Sequence, residues 1–175
     1  MVGDDVVPGA NMVLDRSRVI AAQPAEVWPW LVQLGKQRAG WYLPRRAERL
    51  LPPTRRASWH VEQRWQELAV GERIPDYGGR RDYLEVVAID PPHALVFRTE
   101  RRGTQFSWTL SLSALEDGST LVRLRFRGRL RSEGWRRRAI VLVGDLFDRV
   151  TSELMLAGVE DRVLAVDLGP GSSNT

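Results

Sequence analysis

Few side chains in this sequence have both the chemistry and the neighbours that catalysis needs. There is no cysteine, which removes disulfides, thiolate metal sites and a cysteine nucleophile. The two histidines, His60 and His93, lie far apart, and no His-Glu-x-x-His spacing occurs. No metal site and no cofactor is therefore expected. His60 has the imidazole chemistry of a general acid or base, but no partner for it is visible in the sequence. His93 follows two prolines and reads as a solvated turn residue. Tyr77 and Tyr83 have the chemistry to donate a hydrogen bond to a carbonyl or enolate. Asp76, Glu85 and Arg98 have the chemistry to polarise or protonate a substrate. A carboxylate does so only when burial raises its pKa, and strand register decides whether Tyr83 and Glu85 face inward. Glu85 and Arg98 are expected to be exposed, and no catalytic residue is assigned. Neither a glycine-rich phosphate loop nor a Gly-x-Ser-x-Gly elbow is present.

What these side chains can do depends on the elements that hold them. The chain has 175 residues, 43% of them hydrophobic and 27% charged. That fits one globular domain and excludes disorder, collagen and coiled coil as global readings. Residues 1–12 and 167–175 read as tails around a single domain over 13–166. Residues 13–22 look extended. Pro24 suits the first turn of a helix and Glu26 suits its dipole. Val27, Trp30, Leu31 and Leu34 recur at helical spacing before Gly35, which can stop the helix. A second short helix is expected over 45–51, ended by Pro52-Pro53.

Strands are expected at 71–75, 83–89, 94–100, 105–115 and 121–130. The turns between them are Asp90-Pro91-Pro92, Arg102-Gly103 and Asp117-Gly118. Over 105–115, Phe106, Trp108, Leu110 and Leu112 share one face, and Gln105, Ser107, Thr109 and Ser111 the other. Over 121–130, Val122, Leu124 and Phe126 point in, and Arg123, Arg125, Arg127 and Arg129 point out. Both patterns fit an antiparallel sheet with one wet face. From 135 to 166, Ile140, Val143, Phe147, Val150, Leu154 and Gly158 repeat every three or four residues, as in a long helix. Gly144 and Gly158 mark a bend or a close approach within it. The class is α+β: a curved antiparallel sheet wrapped around a long C-terminal α-helix, with two short helices near the N-terminus. Such a wrap leaves a cavity between sheet and helix.

Charge adds little to this reading. The net charge is +4, and all the positive charge except Lys36 is arginine. The alternating arginines of 123–129 read as the wet face of a strand. No aromatic platform interleaves with them, so no nucleic-acid partner is expected. Arg136-Arg137-Arg138, beside Trp135, either meets a partner such as anionic lipid or forms a solvated turn. The start lacks the basic and apolar regions of a signal peptide. No apolar run reaches the roughly 20 residues of a membrane span. A cytoplasmic protein with no integral membrane segment is the expectation.

The seven tryptophans need burial in a core, a pocket or an interface. Several segments together resemble one superfamily. They are Val19-Ile20-Ala21-Ala22-Gln23-Pro24-Ala25-Glu26-Val27-Trp28, Gly40-Trp41-Tyr42, Val70-Gly71-Glu72, Asp90-Pro91-Pro92, Asp117-Gly118-Ser119-Thr120 and the C-terminal helix. The chain resembles the START/Bet v 1-like superfamily, also called SRPBCC, in its polyketide cyclase/dehydrase and lipid-transport branch. Where relatives carry an acidic or polar segment after Gly-Trp-Tyr, this chain has Leu43-Pro44-Arg45-Arg46. The resemblance implies a helix-grip fold with a deep apolar cavity, and no shared catalytic motif. The expected partner is a hydrophobic, lipid- or polyketide-like small molecule. The residues expected to line its cavity are Trp41, Tyr83, Phe106, Trp108, Leu110, Val122, Leu124, Phe126, Val143, Phe147, Val150 and Leu154. Two alternatives stand beside a binding protein: a cyclase or dehydratase using the same cavity, and a regulatory protein whose cavity has collapsed. Convergent titratable groups would mark the enzyme, and a nearly pure apolar lining the carrier.

Overall fold

The turn residues divide the chain as their chemistry dictates. A computed structural model describes residues 2–77, 79, 82–101, 103–130 and 134–167, with side chains in the last element from 149 to 165. The elements are β1 (Met12–Ile20), α1 (Pro24–Val32), α2 (Arg45–Glu48), β2 (Arg73–Pro75), β3 (Tyr83–Asp90), β4 (Ala94–Arg101), β5 (Thr104–Ala114), β6 (Thr120–Gly128) and α3 (Gly134–Asp167). Glu26 closes the start of α1, its carboxylate accepting the Gln23 N–H at 2.6 Å. Between β5 and β6, Asp117 accepts from the Ser119 N–H at 3.0 Å while Gly118 takes a φ of +82°. The stretch expected as a helix over 45–51 is a single turn of four residues, α2.

All six strands form one antiparallel sheet in the order β1-β6-β5-β4-β3-β2. Meander pairing joins β2 to β6, and β1 returns to lie against β6. With α3 packed on one face, the arrangement is α+β and consistent with a helix grip. The core sits between that face and the helices. Ile20, Leu95, Leu110, Leu112, Val122 and Leu124 meet Val27, Trp30 and Leu31 from α1 and Met155, Leu156, Val159 and Val163 from α3. No helix among the described residues is long and apolar enough to cross a membrane.

The buried stripe of α3 is turned from the expected one. Ser152, Met155, Leu156, Val159, Arg162 and Val163 are buried, whereas Val150 is 53% exposed. At about 3.6 residues per turn, Val150 falls on the side away from Met155 and Val159. Leu154 lies at the margin and is half-buried. Val143, Phe147, Gly144 and the Trp135 to Arg138 cluster lie outside the described residues as far as their side chains are concerned.

The outer face of the sheet differs from the expected wet face. Residues 2–11, expected to be a loose tail, lie across it. Val7 is fully buried, and Val96 and Thr109 beneath the segment are at most 2% exposed. Gly3 approaches so closely that an added Cβ would stand 2.7 Å from Thr109 Oγ1 and 2.8 Å from Val96 Cγ1. Asp4 pairs with Arg125 at 3.2 Å and Arg127 at 2.9 Å. Arg125 also grips Asp15 through two bonds of 2.7 and 2.8 Å. Much of the arginine ladder is therefore neutralised within the chain. A sequence alternation reports which residues share a face, but not what covers that face.

Asp4 makes this strap sensitive to acid. Burial alone would raise its pKa, but hydrogen bonds, including those from Arg125 and Arg127, outweigh it and hold the carboxyl at about 2. A folded value below the unfolded one means that its stabilisation is complete above about pH 4 and lost as pH falls through about 2. The protection of residues 2–11 against hydrogen exchange, taken relative to the intrinsic rate at each pH, should fall over that window. Asp4→Asn should show the same loosening already at pH 6, and unchanged exchange in that variant would contradict the strap.

Candidate functional site

Cross-strand pairing places one row of large side chains over the centre of the inner face. Leu14 pairs with Phe126, Phe126 with Trp108 and Trp108 with Phe97. Above this row lies a cavity of about 290 Å³. Its walls come from Met12 and Leu14 of β1, Leu84 of β3, Phe97, Thr99 and Arg101 of β4, Trp108 of β5 and Phe126 of β6. Thr151 and Ser152 contribute from α3, Trp41 from the loop before α2, and Asp76 from just beyond β2. The sheet thus supplies apolar surface, and the polar groups gather toward the open end of β4.

Trp41 covers the row. Its ring stacks on Trp108 at 5.6 Å and 15°, and meets Tyr77 edge-on at 6.1 Å. Phe97 lies 5.8 Å from Trp108 on the other side. Asp76 is only 7% exposed and forms an ion pair with Arg101. Desolvation lowers the Arg101 pKa, and burial raises that of Tyr77. Thr99 is 6% exposed, and its hydroxyl has no hydrogen-bond partner among the described residues. A buried hydroxyl in that state suits a polar atom of a ligand.

The expected lining residues divide by position. Trp41, Trp108 and Phe126 border the cavity. Phe106 lies over Gly128, whose missing Cβ would stand 2.8 Å from its ring, and it stacks on Phe126 at 5.3 Å. Leu110, Val122 and Leu124 share the inner face but are fully enclosed in the core further along the strands. Tyr83 is 38% exposed, with the Arg73 guanidinium 4.4 Å from its ring centre. Its neighbour Leu84 faces the cavity instead, a difference of one register step. Val150 and Leu154 lie on and beside the exposed side of α3, as described above. The side chains of Val143 and Phe147 lie outside the described residues. His60 and His93 are exposed and away from the cavity, and Glu85 and Arg98 pair with each other at 3.2 Å on the outer face.

A second set of residues holds the loop that carries Trp41. Arg162 of α3 is fully buried and bonds four acceptors. It reaches Ser58 O at 2.8 Å, Leu43 O at 3.1 Å, Gly158 O at 2.9 Å and Glu48 Oε1 at 2.5 Å. Its guanidinium lies 4.3 Å from the ring centres of both Tyr42 and Trp59. Glu48 in turn accepts Trp59 Nε1–H at 2.8 Å. Gly158 lets the helix come this close, since a Cβ there would stand 2.7 Å from the backbone at Tyr42 and Leu43. Fully buried Gln33 ties the same loop to α1, donating to Tyr42 OH at 2.8 Å and accepting the Glu62 N–H at 2.9 Å. Burial raises the Tyr42 pKa, keeping its hydroxyl protonated.

Sequence reasoning did not single out Phe97, Thr99 or Arg101. The run Ala94-Leu95-Val96-Phe97 is continuously apolar, so its inward side shows only once β4 is paired with β5. Glu48 and Arg162 sit 114 positions apart, and no local pattern joins them. Among the described residues no group of three or more acidic or histidine side chains is placed to hold a metal ion.

No family model matches the sequence, and no curated protein does. Solved structures do. A Staphylococcus aureus protein of unknown function superposes with a TM-score of 0.60 at 11% identity, over 90% of this chain and 96% of that one. A Thalictrum norcoclaurine synthase point mutant, in complex with a transition-state analogue, gives 0.52 at 14% identity, over 89% and 95%. DynU16, from the dynemicin biosynthetic locus, gives 0.51 at 16% identity over 90% of this chain. This chain spans about half of DynU16, 48% of its length. This chain therefore shares its overall fold with these structures.

The Arg162 cluster generates a ranked stability prediction. Arg162→Met leaves buried Glu48 without its ion-pair partner and takes the side-chain donor from Leu43 O and Ser58 O, and should cost about 3–5 kcal/mol in urea unfolding. Gly158→Ala forces the helix off the loop and should cost about 1–3 kcal/mol. If both variants unfold at the native midpoint, the cluster does not hold the loop.

Proposed function

We propose that this protein binds a hydrophobic small molecule in the cavity between sheet and α3. The observation that carries this reading is the cavity itself, about 290 Å³ beneath Trp41 and walled by Leu14, Leu84, Phe97, Trp108 and Phe126. Ligand sites are concave, mostly apolar and furnished with a few placed polar groups, here Thr99, Asp76 and Arg101. That open volume favours binding over a collapsed core. Aromatic rings offer the ligand large rigid surface, and Thr99 offers one hydrogen bond to fix its orientation. The Bet v 1-type neighbours support the same reading at the level of fold.

The Asp76–Arg101 pair favours a second reading, a cyclase-type enzyme in the same cavity. Asp76 would take a proton from a carbon between two carbonyls, Arg101 would stabilise the enolate oxygen, and that carbon would attack a third, more distant carbonyl of the same chain to close a ring. The proton returned by Asp76 to the new alkoxide balances the step.

The neutral fluorophore N-phenyl-1-naphthylamine separates these readings from a collapsed core. Its emission should rise on binding. Trp108→Ala should weaken it about ten-fold, since the ring is a main wall of the site. Leu112→Ala, in the core away from the cavity, should leave it unchanged apart from stability. Equal affinities for native protein and Trp108→Ala would place the probe elsewhere. With a poly-β-ketone substrate, Asp76→Asn should abolish ring closure yet keep probe binding if the protein is an enzyme. No conversion by the native protein would leave the binding reading alone.

A further inference from the structure

A second hollow lies beside the cavity and shares part of its wall. This groove, about 1030 Å³, lies against the 36–41 and 51–56 stretches, and Trp41, Asp76, Arg101 and Thr151 border both spaces. Its charge is one-sided. Among the described residues, Lys36, Arg38, Arg55, Arg56 and Arg101 line it, against one carboxylate, that of Asp76. Arg38 is taken by Glu72 at 3.0 Å, and Arg101 by Asp76. Lys36 donates to the backbone carbonyl of Asp76 at 3.2 Å, and Arg56 to those of Leu51 and Arg49 at 3.0 and 3.2 Å. Among the described residues no carboxylate forms an ion pair with Lys36, Arg55 or Arg56.

Cations of one sign around a hollow concentrate positive potential in it. Guanidinium groups match oxyanions in geometry as well as charge. We infer that the ligand is amphipathic, with an apolar body in the cavity and an oxyanion head, carboxylate or sulfonate in chemistry, in this groove. The inference rests on the cavity reading above and adds the charge of the ligand and its direction of insertion. Trp41 stands at the joint, stacked on the cavity wall through Trp108 and bordering the groove. The head faces Lys36, Arg55 and Arg56, while the ring system or chain reaches Phe97 and Phe126.

Two probes share one apolar body and differ in charge. N-phenyl-1-naphthylamine is neutral, and 1-anilinonaphthalene-8-sulfonate carries an oxyanion. The sulfonate should bind about ten-fold tighter at low salt, the modest sum expected of exposed ion pairs. That advantage should shrink at about 0.5 M salt. Lys36→Gln/Arg55→Gln should abolish it and leave the neutral probe's affinity unchanged, which also reports that the variant is folded. Equal affinities in the native protein overturn the oxyanion head and leave the cavity reading standing. A preference that survives in the variant overturns its assignment to this groove. Binding of neither probe overturns the cavity reading and this inference with it.

Discussion

Arg162 joins the last helix to the long irregular stretch between α1 and β2. Its guanidinium is fully buried, bonded to Glu48 and to three backbone carbonyls, and sandwiched by Tyr42 and Trp59. Removing a charge from water costs several kcal/mol, so the pair contributes position more than net stability. Two of those carbonyls, Leu43 O and Ser58 O, belong to a segment with few regular hydrogen bonds of its own. Without Arg162, the partly buried Leu43 O and Ser58 O would lose this donor. Gly158 completes the arrangement by admitting the loop backbone to the helix surface. Trp41 is the residue before Tyr42, so its place over Trp108 follows from where that loop is fastened.

The rest of the site is a consequence of register. Antiparallel pairing brings Leu14, Phe126, Trp108 and Phe97 into one row across four strands. Thr99 and Arg101 continue the same face of β4 toward the edge, where Asp76 meets Arg101. Apolar body and polar end are thus set by the two-residue period of the strands. The N-terminal strap covers the opposite face at Val96 and Thr109, which leaves the central strands enclosed on both sides. Sheet rigidity on one side and a fastened loop on the other define a preformed space, which lowers the ordering cost of binding.

Much of this was legible in the residues. The turns at Asp90-Pro91-Pro92 and Asp117-Gly118 lie between β3 and β4 and between β5 and β6, and the alternation of Phe106, Trp108 and Leu110 identified the inner face of β5. Trp41, Trp108 and Phe126 were within reach of periodicity and resemblance. Tyr83 was placed inward although Leu84 faces the cavity, because a period of two cannot choose its own phase. Val150 continued a sequence stripe that the real packing of α3 leaves outside. The 2–11 segment has no periodicity at all; its role shows in distant contacts such as Asp4 against Arg125 and Arg127, partners 121 or more positions away. The Glu48–Arg162 pair was hidden for the same reason. Long-range polar contacts leave no local pattern.

The tryptophans offer the most direct view of the central claim, because they sample different environments. Trp41 and Trp108 border the cavity, Trp30 is in the core, Trp59 lies against Arg162 and Trp65 against Arg38. An indole ¹H–¹⁵N spectrum, recorded while an apolar aromatic ligand is titrated in, reads each of them separately. The account predicts saturable shifts of the Trp41 and Trp108 resonances, with those of Trp30, Trp59 and Trp65 nearly still. Shifts confined to the other tryptophans, or no saturable shift at Trp108, would contradict a binding site in this cavity.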